Sequence, residues 1–196
     1  MGPSPFTLSG EMTALRCSSL LLGAALLTTA CAGSTTKTQS LPPLETVAQV
    51  EVPRYLGTWY EIASYPQRFQ EGCTATTATY VAGKDGEISV LNRCRKGGLD
   101  GTLDEAQGRA RVVDASTNAK LEVSFFGPFW GDYWIIDLDE DYRYAVVGHP
   151  GRDYLWILAR EPQLDEEVSA GILERLREKH YDTSRLQWTL QPEPKS

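Results

Sequence analysis

The sequence predicts an all-β domain, an eight-stranded up-and-down antiparallel β-barrel with one C-terminal α-helix packed outside it. Three observations carry that expectation. Eight short runs rich in Val, Ile, Thr and aromatic residues follow one another between Gly57 and Ala159. Segments of turn chemistry separate them. A stretch of helical period, Val168, Ile172, Leu173 and Leu176, then follows the last run.

The runs are 57–65, 74–81, 88–95, 108–113, 121–125, 133–138, 144–148 and 154–159. The links include Gly83-Lys84-Asp85-Gly86, Ala115-Ser116-Thr117-Asn118, Asp139-Glu140-Asp141 and His149-Pro150-Gly151, all suited to hairpins. Consecutive strands with short links make an up-and-down sheet, and closing it removes the exposed edges. The helix is expected over 165–179. Asp165 stands at its N-cap, Glu166 and Glu167 in its first turn, and Arg177 and Lys179 in its last, in accord with the helix dipole. Its apolar stripe must lie against the sheet. A short final strand is expected over 186–190, before a polar tail at 192–196.

The N-terminal region reads as an address. Leu20 to Leu27 form a short apolar core behind Arg16, the layout of a secretory signal over residues 1–30. Met12 is an alternative start that removes Glu11 from the signal. Thr28-Thr29-Ala30-Cys31 resembles the lipobox of bacterial lipoproteins, with its large apolar residue one place early at Leu27. That resemblance implies lipidation of Cys31, and acylation at several positions would give lasting membrane attachment. Ala32 after the cysteine favours the outer membrane, on its periplasmic side. A flexible tether is expected over 31–51, ahead of the barrel domain at 52–191.

Composition removes several functions. The 196 residues hold 19 basic and 26 acidic side chains, a formal charge of −7, which is not the footprint of a nucleic-acid binder. With two histidines and four cysteines a His-rich metal site is not expected, and no cofactor is implied. The cluster Asp137, Asp139, Glu140 and Asp141 lacks the spaced pattern of a calcium loop and reads as a solvated turn.

Gly57-Thr58-Trp59 opens the first strand and Arg160 closes the eighth, so a closed sheet brings them to one rim. Trp59 can then plug the barrel floor, with Arg160 across its ring and Gly57 letting the backbone pass close by. This arrangement resembles the lipocalin family. The resemblance extends through Tyr55-Leu56-Gly57-Thr58-Trp59-Tyr60-Glu61-Ile62-Ala63, Val123-Ser124-Phe125-Phe126-Gly127-Pro128-Phe129 and Asp153-Tyr154-Leu155-Trp156-Ile157-Leu158-Ala159-Arg160. In those stretches the chain looks like bacterial outer-membrane lipoprotein lipocalins and apolipoprotein D. The family's second motif, Thr-Asp-Tyr, is degraded to Leu138-Asp139 with Tyr142 downstream.

The resemblance implies a ligand that is long and apolar, a fatty acid (palmitate, for example) or a lysophospholipid, bound without chemistry in the barrel. Alternation puts Trp59, Glu61 and Ala63 on one face of the first strand, and Trp156 inward with Arg160 on the eighth. Tyr80 matches a pocket tyrosine of apolipoprotein D. Phe69, Phe126, Phe129, Trp130 and Tyr144 complete the expected ligand contacts, Phe129 and Trp130 as aromatics in a mouth loop. The mouth is expected between loops 66–72, 96–107, 127–132 and 149–153. Arg68, Arg95 and Lys96 could meet an anionic head, or simply be solvated. Glu61 either hydrogen-bonds a buried tyrosine or is turned outward by a bulge. The sequence leaves homodimer formation open.

Pairing symmetric about Gly83-Lys84 sets Cys73 opposite Cys94, and a longer turn would shift the register by a residue or two. In an oxidising compartment a disulfide is the natural expectation. Two alternatives to the carrier stand beside it. One is a lipid-modifying enzyme using a cavity cysteine, if Cys73 or Cys94 is free. The other is a structural envelope lipoprotein whose barrel is filled.

Overall fold

The computed structural model describes residues 41–193. The expected signal sequence and Cys31 lie outside them. Eight strands form the barrel: β1 (Gly57–Ser64), β2 (Cys73–Ala82), β3 (Ile88–Lys96), β4 (Thr102–Val112), β5 (Lys120–Ser124), β6 (Gly131–Leu138), β7 (Tyr144–Gly148) and β8 (Leu155–Ala159). Each pairs antiparallel with the next, and β1 pairs with both β2 and β8, which closes the ring. A four-residue helix α1 (Val52–Tyr55) precedes β1, and α2 (Glu166–Glu178) follows β8. The short β9 (Gln187–Trp188) adds to β1 at Ala63 and Ser64.

Two apolar clusters result. One fills the lower barrel around Trp59, Tyr55, Ile135, Val147 and Leu158. The other lies outside the sheet, where Ile172 and Leu176 of α2 press on Ile62, Val146 and Ile157, with Val168 and Leu173 at its margin. The helical stripe thus buries as its spacing dictates. Asp165 does stand at the N-cap, yet its side chain caps nothing. Its backbone carbonyl takes the Ser169 N–H instead.

Four features differ from the sequence expectation. Strand β4 starts at Thr102, not at 108, so the expected loop 96–107 shrinks to a tight connection after Lys96. The mostly polar residues 102–107 hid it: this arm projects beyond the core, exposed on both faces, and carries no burial signature. The final strand is shorter than expected, only Gln187–Trp188, although Thr189 N–H and Leu190 C=O still bond to Ile62 and Ala75. The tether does not extend to 51. Leu44 and Val50 are buried, and Val47 and Val50 donate to the Ile135 and Thr117 carbonyls. Their apolar side chains dock on the barrel, which flexible-linker composition could not reveal. Finally, a bulge in β1 lies between Glu61 and Ala63. Ala63 consequently joins Ile62 in the outer cluster and does not share the inner face with Trp59 and Glu61.

Cys73 and Cys94 form a disulfide, with Cα atoms 5.4 Å apart. They are not directly opposed, because Cys73 faces Lys96. The turn closes from Gly83 N–H to the Glu87 carbonyl, centring the hairpin on Asp85, and a bulge between Thr74 and Thr77 adjusts the register again.

Candidate functional site

The barrel floor is built first. Trp59 is fully buried, and its indole N–H donates to the Tyr55 carbonyl at 2.8 Å. The Arg160 guanidinium lies over that ring, 3.7 Å from its centroid. Gly57 has φ of +96°, and a Cβ there would stand 3.3 Å from Arg160 Nη1, so both backbone and space favour glycine.

Above the floor a cavity of about 830 Å³ opens toward the loops that follow β1, β5 and β7. Its walls include Ala78, Val90, Val123, Phe125 and Leu158. Phe125 can lie against β4 because residue 108 is glycine; a Cβ there would come within 2.7 Å of its ring. Of the expected ligand contacts, Glu61, Phe69, Tyr80, Phe126, Phe129, Trp130 and Trp156 line this space. Tyr144 does not. It sits on the outer face of β7, its hydroxyl accepting from Arg175 of α2 at 2.9 Å. Strand β7 is covered on both faces, so burial alone could not tell interior from underside.

A polar station stands on the upper wall. Glu61 is only 5% exposed, and its carboxylate accepts from Gln70 Nε2 at 2.6 Å, Thr189 Oγ1 at 2.6 Å and Ser64 Oγ at 3.2 Å. Gln70 in turn accepts from the Trp156 indole N–H at 3.0 Å. Neither expected fate of Glu61 holds: no tyrosine meets it, and the bulge falls beyond it. Three neutral donors take up its lone pairs, as a buried carboxylate requires. A smaller hollow of about 380 Å³ shares Glu61 and runs between the 65–73 loop and β9.

A second polar group lies deeper. Tyr133 shares hydrogen bonds of 2.8 Å with both Tyr55 and Tyr80. Burial pushes the Tyr80 hydroxyl up to about 12 and raises those of Tyr55 and Tyr133 well above the usual tyrosine range. All three stay protonated. On the wall between the stations, Thr76 Oγ1 and Asn92 Oδ1 have no hydrogen-bond partner among the described residues.

The rim is aromatic. Phe69, Phe126 and Phe129 are exposed, whereas Trp130 tucks under the guanidinium groups of Arg109 and Arg111. Arg68, Arg95 and Lys96, which could either greet an anionic head or be solvated, do not line the main cavity. Lys96 donates to the Glu71 carbonyl and Arg95 to that of Gly101, while Arg68 borders the smaller hollow. Arg93, paired with Glu105, lines the main cavity instead.

Sequence reasoning missed Gln70, Thr189, Asn92 and Tyr133. The one available signal was the buried Glu61, whose position demanded donors that no motif identified.

A lipocalin-like domain matches residues 50–191. Outer membrane lipoprotein Blc of Escherichia coli strain K12 is 42% identical over 171 residues, covering 86% of this chain and 93% of that protein. Apolipoprotein D of Rattus norvegicus is 37% identical over 135 residues, 65% of this chain and 68% of its own. Insecticyanin of the tobacco hornworm Manduca sexta shares the fold with a TM-score of 0.63, at 21% identity across 79% of this chain and 87% of that one. Sequence kinship of this extent, met by a closed barrel with an indole sealed under a guanidinium, means that the chain belongs to the lipocalin family.

Proposed function

We propose that this chain is a membrane-tethered carrier that binds a fatty acid or lysophospholipid in the barrel without chemically altering it. The observation that carries this reading is the cavity of about 830 Å³, a size typical of small-molecule sites, with mostly apolar walls and an aromatic rim. Burial of a long chain at roughly 25 cal/mol per Å² supplies micromolar or better affinity after ordering losses. A filled structural barrel would lack such a hollow. The cysteine-enzyme alternative needs a free cavity thiol, and the Cys73–Cys94 bridge occupies both. The site is complete within one chain, so the reading requires no homodimer.

Lipidation at Cys31 and residence at the outer membrane, on its periplasmic side, belong to the same proposal. The outer membrane lipoprotein Blc proteins among its relatives support it. So does the place of Pro42. The Pro42 carbonyl accepts from Arg152 at 2.8 Å, in the β7–β8 loop at the mouth end. From there eleven residue steps lead back to Cys31, at most about 40 Å when extended. The anchor would thereby keep the mouth close to its source of lipid.

Titration of palmitic acid against tryptophan fluorescence tests the carrier reading. A saturable change in the micromolar range or below is expected, since Trp156 and Trp130 line the cavity. No saturable change would remove the reading.

A further inference from the structure

We propose that the deep end of the cavity is a hydrogen-bond donor site for a neutral oxygen, such as a ketone or ester, carried on the far part of the apolar ligand. This rests on the carrier reading above and narrows its ligand class.

The argument is a proton count. Tyr55, Tyr80 and Tyr133 bring three hydroxyl protons to two hydrogen bonds, and no other side-chain hydrogen bond reaches them among the described residues. One O–H is therefore always left over. If both outer tyrosines donate to Tyr133, the spare proton is on Tyr133. If Tyr133 donates to Tyr80, it is on Tyr80. The third arrangement leaves it on Tyr55. Tyr80 and Tyr133 line the cavity and Tyr55 does not, so the first two arrangements aim the spare donor where a ligand can meet it. Both hydroxyl-bearing residues are more than nine-tenths buried, with exposures of 6% and 8%. A plain hydrocarbon end would leave that donor without a partner.

Charge decides the kind of oxygen. Arg160 lies beyond Trp59 with its donors on the carbonyls of Thr58, Arg54, Tyr55 and Leu56, and Arg93 of the cavity wall is paired with Glu105. A carboxylate at the tyrosines would thus be buried without a counter-ion, which is strongly unfavourable. A carbonyl or ether oxygen carries no such penalty and accepts the spare proton. An amphiphile would enter tail first, its head at the mouth and its far oxygen on the tyrosines.

The test uses straight-chain acids of twelve to eighteen carbons with a methyl ketone at the far end, each paired with the plain acid of equal length. In the unaltered protein the best-fitting keto acid should bind at least as tightly as its partner. In the Tyr80→Phe/Tyr133→Phe variant the ratio of keto-acid to plain-acid affinity should fall about tenfold, the scale of one lost hydrogen bond to a buried group. An unchanged ratio overturns the proposal. A second measurement needs no variant: the infrared stretch of a carbon-13-labelled ketone in the wild-type complex. A frequency lowered as in a hydrogen-bonded carbonyl supports the donor site, and one at its apolar-solvent position overturns it. Binding of plain acids with no ketone effect defeats this inference alone. Binding of neither series defeats the carrier reading beneath it.

Discussion

Arg160 and Trp59 form a two-layer seal at the base of the barrel: the guanidinium carbon stands 3.7 Å from the indole centroid, and the same group holds the carbonyls of Arg54, Leu56 and Thr58. The pair joins the end of the last barrel strand to the start of the first. It therefore clasps the seam where the sheet closes on itself.

Arg160→Ala should lower unfolding stability by about 3 kcal/mol, from lost charge-assisted hydrogen bonds and the cation–π contact. Arg160→Lys keeps the charge but not the planar fork, and should lose about half as much. Urea denaturation monitored by circular dichroism reads both. Equal losses for the two variants would contradict the role given to the fork.

Replacing both cysteines, Cys73→Ser with Cys94→Ser, should destabilise the domain by about 3 kcal/mol, because the bridge closes a loop of sequence separation 21. Thiol titration of the native oxidised protein should find neither of these two cysteines reactive before reductant is added.

Glu61→Gln alters a buried side chain that three donors serve. The amide can still accept from one or two of them, so the expected loss is about 1–2 kcal/mol. Hydrogen exchange should rise in the short 3-10 turn Arg68–Gln70, which Gln70 ties to the strand. Uniform exchange changes across the barrel would argue against this local tie.

Alkali should unfold the protein through its buried tyrosines. Tyr80 and Tyr181 both have hydroxyls pushed up to about 12, chiefly by burial. An unfolded tyrosine ionises near about pH 10, so above that pH the unfolded chain releases protons that the native state retains. Stability should therefore hold below about pH 10 and fall as pH rises toward 12. Ultraviolet titration checks this: the exposed tyrosines ionise first, and the buried ones together with unfolding.

Cys31→Ser in a bacterial host should shift the protein from the membrane fraction to the soluble one. Retention at the membrane would count against lipidation at that position.

Much of this molecule could be read from its residues, and the failures share a cause. Strand order, the outer helix and the Trp59–Arg160 floor followed from period, turn chemistry and one pair of residues a hundred positions apart. Alternation failed wherever the pleat was broken or both faces were covered. The bulge after Glu61 sent Ala63 to the outer cluster, and α2 buried Tyr144 from outside. The inward tyrosine group was invisible because hydroxyls from α1, β2 and β6 converge only once the ring is closed. Polar residues concealed the first half of β4, which owes its existence to pairing with β3, not to burial.

The ring closes through two strands that lie far apart along the chain. Strand β1 finds its second partner only when β8 emerges, and the upper gap between β1 and β2 is filled by Gln191, whose amide bridges the Glu61 and Thr76 carbonyls. Such long-range pairing slows folding, because distant segments must meet before contact rewards them. A nascent chain of this kind can pair its strands in succession, but its ring stays open until Ala159 has been made.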